Sequence, residues 1–94
     1  CQVFMPNVFS PNNDGLNDRF FPQGPCALEN YEMLIFDRWG NQVYQSNNPS
    51  EGWNGKIRGD LAPQGTYVWT INYLVSENGN PREATQRGDV VLLR

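Results

Sequence analysis

The chain has 94 residues, a formal net charge of −3 from Lys+Arg 7 and Asp+Glu 10, no histidine and two cysteines. That length sets one domain, residues 1–94, near the size at which a single hydrophobic core suffices. The scattered basic residues exclude a nucleic-acid surface, and no apolar run approaches the roughly 20 residues that span a bilayer as a helix.

Nine Gly and seven Pro punctuate the sequence as expected of short strands joined by turns. Val3-Phe4-Met5 and Val8-Phe9 are apolar pieces broken by Pro6, which demotes them to an edge or bulged strand. The polar stretch that follows, Asn12-Asn13-Asp14-Gly15-Leu16-Asn17-Asp18, is too kinked for a strand. Asp-Gly is a turn signal, because glycine reaches positive φ freely and Asp and Asn side chains bond neighbouring backbone. The same residues offer Asn12, Asp14 and Asp18 as oxygen ligands for a hard cation, with Ca²⁺ the candidate. An Asx-stabilised turn that docks the first strand and a weak cation loop both fit, and no cofactor is required.

Residues 19–21 suggest a short strand stopped by Pro22. Residues 31–37 predict a full strand, with Tyr31, Met33 and Ile35 on one face and Leu34 and Phe36 on the other. Residues 38–41 turn, and residues 42–46 return as the second arm of a hairpin. Residues 56–63 read as short, polar and irregular. Residues 65–75 carry the strongest strand pattern, with Tyr67, Trp69, Ile71, Tyr73 and Val75 on one face. A hairpin turn from Ser76 to Pro81, with Asn78-Gly79-Asn80, leads to a final arm, residues 83–94, that ends Val90-Val91-Leu92-Leu93-Arg94. Such a terminal strand is either an inner, paired strand or an edge open to β-augmentation by another chain. Six or seven short strands at this spacing predict an antiparallel β-sandwich.

Catalysis is not expected. Without histidine neither a Ser-His nor a Cys-His nucleophile can be assembled, and a small sandwich leaves little room for a carboxylate-lined cleft. Trp39 and Trp53 could stack on sugars, but each directly precedes a turn, and we expect both to pack in the core or over a sheet edge. Cys1 and Cys26 are either free thiols or a disulfide that would add roughly 3 kcal/mol in an oxidising compartment. With no histidine they fall short of a zinc site. No signal peptide is recognisable, so if the protein is exported, its signal peptide lies outside these residues.

Four motifs in register resemble one family. Phe9-Ser10-Pro11-Asn12-Asn13-Asp14-Gly15-Leu16-Asn17-Asp18 resembles the F-T-P-N-G-D-G-x-N-D opening of the gliding motility-associated C-terminal domain. Ile35-Phe36-Asp37-Arg38-Trp39-Gly40-Asn41-Gln42-Val43-Tyr44 resembles its I-F-N-R-W-G-x-x-V-F hairpin. Trp53-Asn54-Gly55 with Pro63-Gln64-Gly65-Thr66-Tyr67-Val68-Trp69 resembles its W-D-G and P-x-G-T-Y-V-Y, and Gly88-Asp89-Val90-Val91-Leu92-Leu93-Arg94 its closing G-x-V-x-L-I-R. The departures Asn13, Asp37 and Asn54 are polar exchanges at turns, and Asn54 removes one carboxylate ligand.

This family is the type B C-terminal domain of the type IX secretion system of Bacteroidota. The resemblance implies an immunoglobulin-like antiparallel β-sandwich of about seven strands, placed at the C-terminus of large secreted or surface proteins, gliding adhesins among them. It implies a sorting signal read by the outer-membrane export machinery, with translocon components and a porin-like outer-membrane protein as partners, and cargo that passes through the periplasm. An oxidising periplasm agrees with a Cys1–Cys26 bond. Residues Gly88, Val90, Val91, Leu92, Leu93 and Arg94 are the expected recognition strand, and the isolated domain is expected to be monomeric. A calcium- or glycan-binding adhesion module of the same fold is the alternative.

Overall fold

The computed structural model describes residues 3–11, 18–24, 27–77 and 79–93. Among them lie seven strands and no helix: β1 (Val8–Phe9), β2 (Leu28–Phe36), β3 (Gln42–Ser46), β4 (Lys56–Ile57), β5 (Asp60–Leu61), β6 (Gly65–Glu77) and β7 (Asn80–Leu92). The main sheet runs β1-β7-β6-β2-β3, and β4-β5 form a small second sheet. Two isolated bridges, Phe4 with Gln23 and Phe20 with Trp53, add to the strand pairing outside the main sheet and give the fold its sandwich-like character.

Alternation in β6 decides which face of the main sheet is covered. Tyr67, Trp69, Ile71, Tyr73 and Val75 are all buried, as their period-2 pattern requires. They pack with Tyr31, Met33 and Ile35 of β2 and with Val90 and Leu92 of β7. Phe9, Phe20, Trp53 and Ala62 complete this core. Trp53 is its hub, with ring centroids 5.4 Å from Phe9, 5.0 Å from Tyr67 and 6.3 Å from Tyr44. Its indole Nε1 donates to the Lys56 carbonyl at 3.0 Å, which ties the small sheet to the core.

Four features differ from the sequence expectation. Residues 56–63 are not irregular: Lys56 pairs with Leu61 and Ile57 with Asp60 in a tight hairpin. Its corner residues Arg58 and Gly59 have φ of 54° and 86°, the pattern of a type I′ turn. Arg58 is an unusual occupant of that corner, so no turn signal marked it. β2 begins at Leu28 rather than residue 31, because a bulge between Glu29 and Glu32, with Asn30 at φ 50°, lets pairing with β6 resume. The β6–β7 hairpin pairs out to Glu77 and Asn80, so its turn is tighter than expected. Finally, β1 lies parallel to β7, with Val8 opposite Val91 and Phe9 opposite Leu92, so the main sheet is mixed rather than wholly antiparallel.

Cys1, Cys26, Asn12, Asp14 and Arg94 lie outside the described residues.

Candidate recognition surface

The β2–β3 hairpin builds the most conspicuous feature of the surface from five residues. Asp37 N donates to Asn41 O at 2.9 Å and Gly40 N to Asp37 O at 3.0 Å, closing a turn whose next residue, Gly40, sits at φ 86°. This is a turn followed by a left-handed residue, the usual three-residue hairpin loop, and glycine is the residue that takes the last position without strain. The Asp37 carboxylate locks it: Oδ1 accepts from the backbone N–H of Trp39 and of Asn41, each at 2.9 Å, and Oδ2 from Asn41 Nδ2 at 3.2 Å.

Arg38 and Trp39 therefore occupy the two corner positions, where side chains point away from both strands. Trp39 is 76% exposed, and the Arg38 guanidinium lies 5.2 Å from its ring centroid. A cation over one indole face is worth about 0.5–1 kcal/mol at an exposed site and restrains the ring. The expectation that both tryptophans would be covered is thus corrected for Trp39. Trp53 is fully buried because its backbone bridges Phe20, with reciprocal N–H to carbonyl bonds of 2.9 Å, and its side chain turns inward. The Asp-Arg-Trp-Gly-Asn run carried enough turn chemistry to place Trp39 at a corner; proximity to glycine alone did not.

Beside the ring is a cleft of about 280 Å³ lined by Trp39, Ile57, Pro63, Gln64, Thr66 and Tyr67, among others. The Tyr67 hydroxyl donates to the Pro63 carbonyl at 2.7 Å and braces the far wall. Gly65 and Thr66 of this wall pair with Leu92 and Val91. Strand register therefore puts the hairpin tip, the cleft and the C-terminal end of β7 at one end of the main sheet.

The expected recognition strand divides at this point. Val90 and Leu92 are fully buried in the core, and Gly88 lies under Trp69, whose Cζ2 would be 3.0 Å from an added Cβ. Val91 is half-buried and Leu93 is 43% exposed. Val91 N donates to Asn7 O at 2.9 Å and Leu93 N to Phe9 O at 3.0 Å, so β1 occupies the backbone edge over this stretch. Of the three expected cation ligands only Asp18 is described, half-buried two residues before the Phe20–Trp53 bridge.

The Asp37 carboxyl is held below its ordinary 3.8, first by the Asn41 backbone N–H and then by the Asn41 side chain and the Trp39 and Gly40 amides, against a smaller opposing effect of desolvation. A lowered folded value means the charged form stabilises the hairpin above 3.8 and stops doing so as pH falls through the lowered value. Asp37→Asn keeps an acceptor oxygen and removes the charge. The Tm gap between wild type and this variant should be full at pH 7 and close on acidification. A gap of equal size at pH 7 and pH 2 would contradict the assignment.

The fold and this surface define a small all-β module that presents a hairpin tip and a shallow cleft at one end of its main sheet. Residues 3–92 match the family model described as CHU_C Type IX secretion signal domain, and the chain belongs to that family. The four motifs and the fold expected from them agree with it. Membership carries a secretion-targeting role, engagement of the type IX secretion machinery and export to the cell surface or beyond. No curated protein matches the chain.

Proposed function

We propose that this domain is a non-enzymatic C-terminal sorting signal that carries a large cargo through the type IX machinery across the outer membrane, from the periplasm to the surface or medium. The machinery, including a porin-like outer-membrane partner, reads a folded surface: the Trp39 tip, its cleft and the adjoining Val91–Leu93 end of the strand that begins this motif at Gly88. The observation that carries this reading is Trp39 itself, an exposed indole that lines a cleft at the sheet end where β7 finishes. Aromatic and arginine side chains are the residue types that most often anchor protein interfaces. No cofactor is needed for it.

Deleting residues 90–94 is a poor test, because it also removes the buried Val90 and Leu92. Trp39→Ala and Leu93→Ala leave the core intact. Fused to a periplasmic reporter in a host with a type IX system, Trp39→Ala is expected to lower the exported fraction about tenfold, the effect of losing one anchor of roughly 1.4 kcal/mol. Export equal to wild type, with an unchanged melting curve, would remove Trp39 from the recognised surface. The exposure of Trp39 also favours sugar stacking as a second reading, and hits for wild type but not Trp39→Ala on an oligosaccharide array would support it.

A further inference from the structure

β7 is thirteen residues long, and among the described residues its side away from β6 is paired only at its C-terminal end. The Val91 and Leu93 amides bond to Asn7 and Phe9 there. Because backbone groups alternate sides along a strand, Glu83, Thr85, Arg87 and Asp89 point their N–H and C=O groups in the same direction as Val91. No backbone hydrogen bond reaches these four from that side among the described residues, and all four side chains are exposed. The open edge is bounded by the hairpin end at Asn80 and by β1 at Val91.

We propose that two copies of this chain associate edge to edge through β7, antiparallel about a two-fold axis at Thr85. Two independent features select that register. Thr85 is the midpoint of the open stretch from Pro81 to Asp89, so an axis there pairs that whole stretch in both copies. The charges agree: Glu83 of each copy faces Arg87 of the other, and the two Thr85 residues face each other. Opposite charges and Thr–Thr pairs directly across two strands are favourable, and like charges are unfavourable. Moving the axis to position 86 sets Glu83 against Asp89 in both halves, and moving it to Arg87 brings two guanidiniums together. Pro81, which has no N–H, falls at the end of the ladder, where a proline is tolerated. The contact is isologous and closes on itself, giving a dimer rather than a fibre. This surface is separate from the Trp39 cleft, and it departs from the monomer expected from the sequence.

Sedimentation equilibrium of the 94-residue chain, from micromolar to about 1 mM, tests it. A monomer–dimer equilibrium is expected. Glu83→Arg or Arg87→Glu should each weaken it about tenfold or more, since two attractive pairs become repulsive. The double exchange should return the dissociation constant to near that of wild type. Thr85→Pro removes an N–H that points away from β6, so it should abolish the dimer while a circular-dichroism melt shows the fold retained. A chain that stays monomeric at 1 mM overturns the proposal. So do single reversals without effect, and a double exchange that fails to rescue.

Discussion

Trp53→Ala should be the most damaging single substitution in this domain, and it should remove most of its stability. Truncating a fully buried aromatic typically costs about 3–5 kcal/mol, against a total of about 5–15 for a natural domain. In a chain of this size each kcal/mol lowers Tm by about 4–8 °C, so a drop of about 20 °C or more is expected. The reason is positional. Trp53 touches Phe9 from β1, Tyr67 from β6 and Tyr44 from β3, and its Nε1 holds the Lys56 carbonyl at the start of the small sheet. Trp53→Phe separates the two contributions: it keeps ring packing and loses the hydrogen bond, and the Tm loss should be well under half as large. A thermal melt of Trp53→Ala within 5 °C of wild type would show that the two layers are held together by something else.

Gly52→Ala is also expected to be strongly damaging, although it adds only a methyl group. Gly52 sits at φ 72°, and an added Cβ would lie 3.0 Å from Arg19 Cβ and 3.3 Å from Phe21 Cβ. The backbone conformation costs a non-glycine residue about 1 kcal/mol, and overpacking a tight site adds about 1–3 more. Moreover, the Tyr44 hydroxyl is the donor to both the Gly52 carbonyl, at 3.1 Å, and Glu51 Oε1, at 2.9 Å. Burial, the largest of several effects, leaves the Tyr44 hydroxyl pushed up to about 12, so it stays a donor at neutral pH. Gly59→Ala is the control. Gly59 has φ 86° with nothing within 4 Å of an added Cβ, so it should lose only the backbone share. Equal denaturant midpoints for the two variants would exclude a steric role for Arg19 and Phe21.

The two surfaces ask for different chemistry. At the end of the sheet, the fold spends a loop on holding one tryptophan in water, and Asp37 is the residue that makes the loop rigid. Along β7 the exposed side chains are charged in alternating sign, a pattern that blocks promiscuous strand addition but accepts one register of its own copy. On the two proposals, Trp39→Ala should lower export and leave the dimer unchanged, and Arg87→Glu should weaken the dimer and leave export unchanged.

Local chemistry alone determined much of this protein. The period-2 run from Tyr67 to Val75 named the buried face of β6, the residues of the β2–β3 hairpin named both its arms, and the four motifs named the family. These are short-range signals, written in residues that touch their sequence neighbours. Long-range pairing decided the rest. Only the parallel docking of β1 on Val91 and Leu92 showed that the terminal strand has no free backbone there and that the open edge lies upstream, at Glu83 to Asp89. Only the Phe20–Trp53 bridge showed that Trp53 turns into the core, while Trp39 stays exposed at its corner. A tryptophan beside a turn can face either way, and for Trp53 the backbone bonds to distant Phe20 settle it.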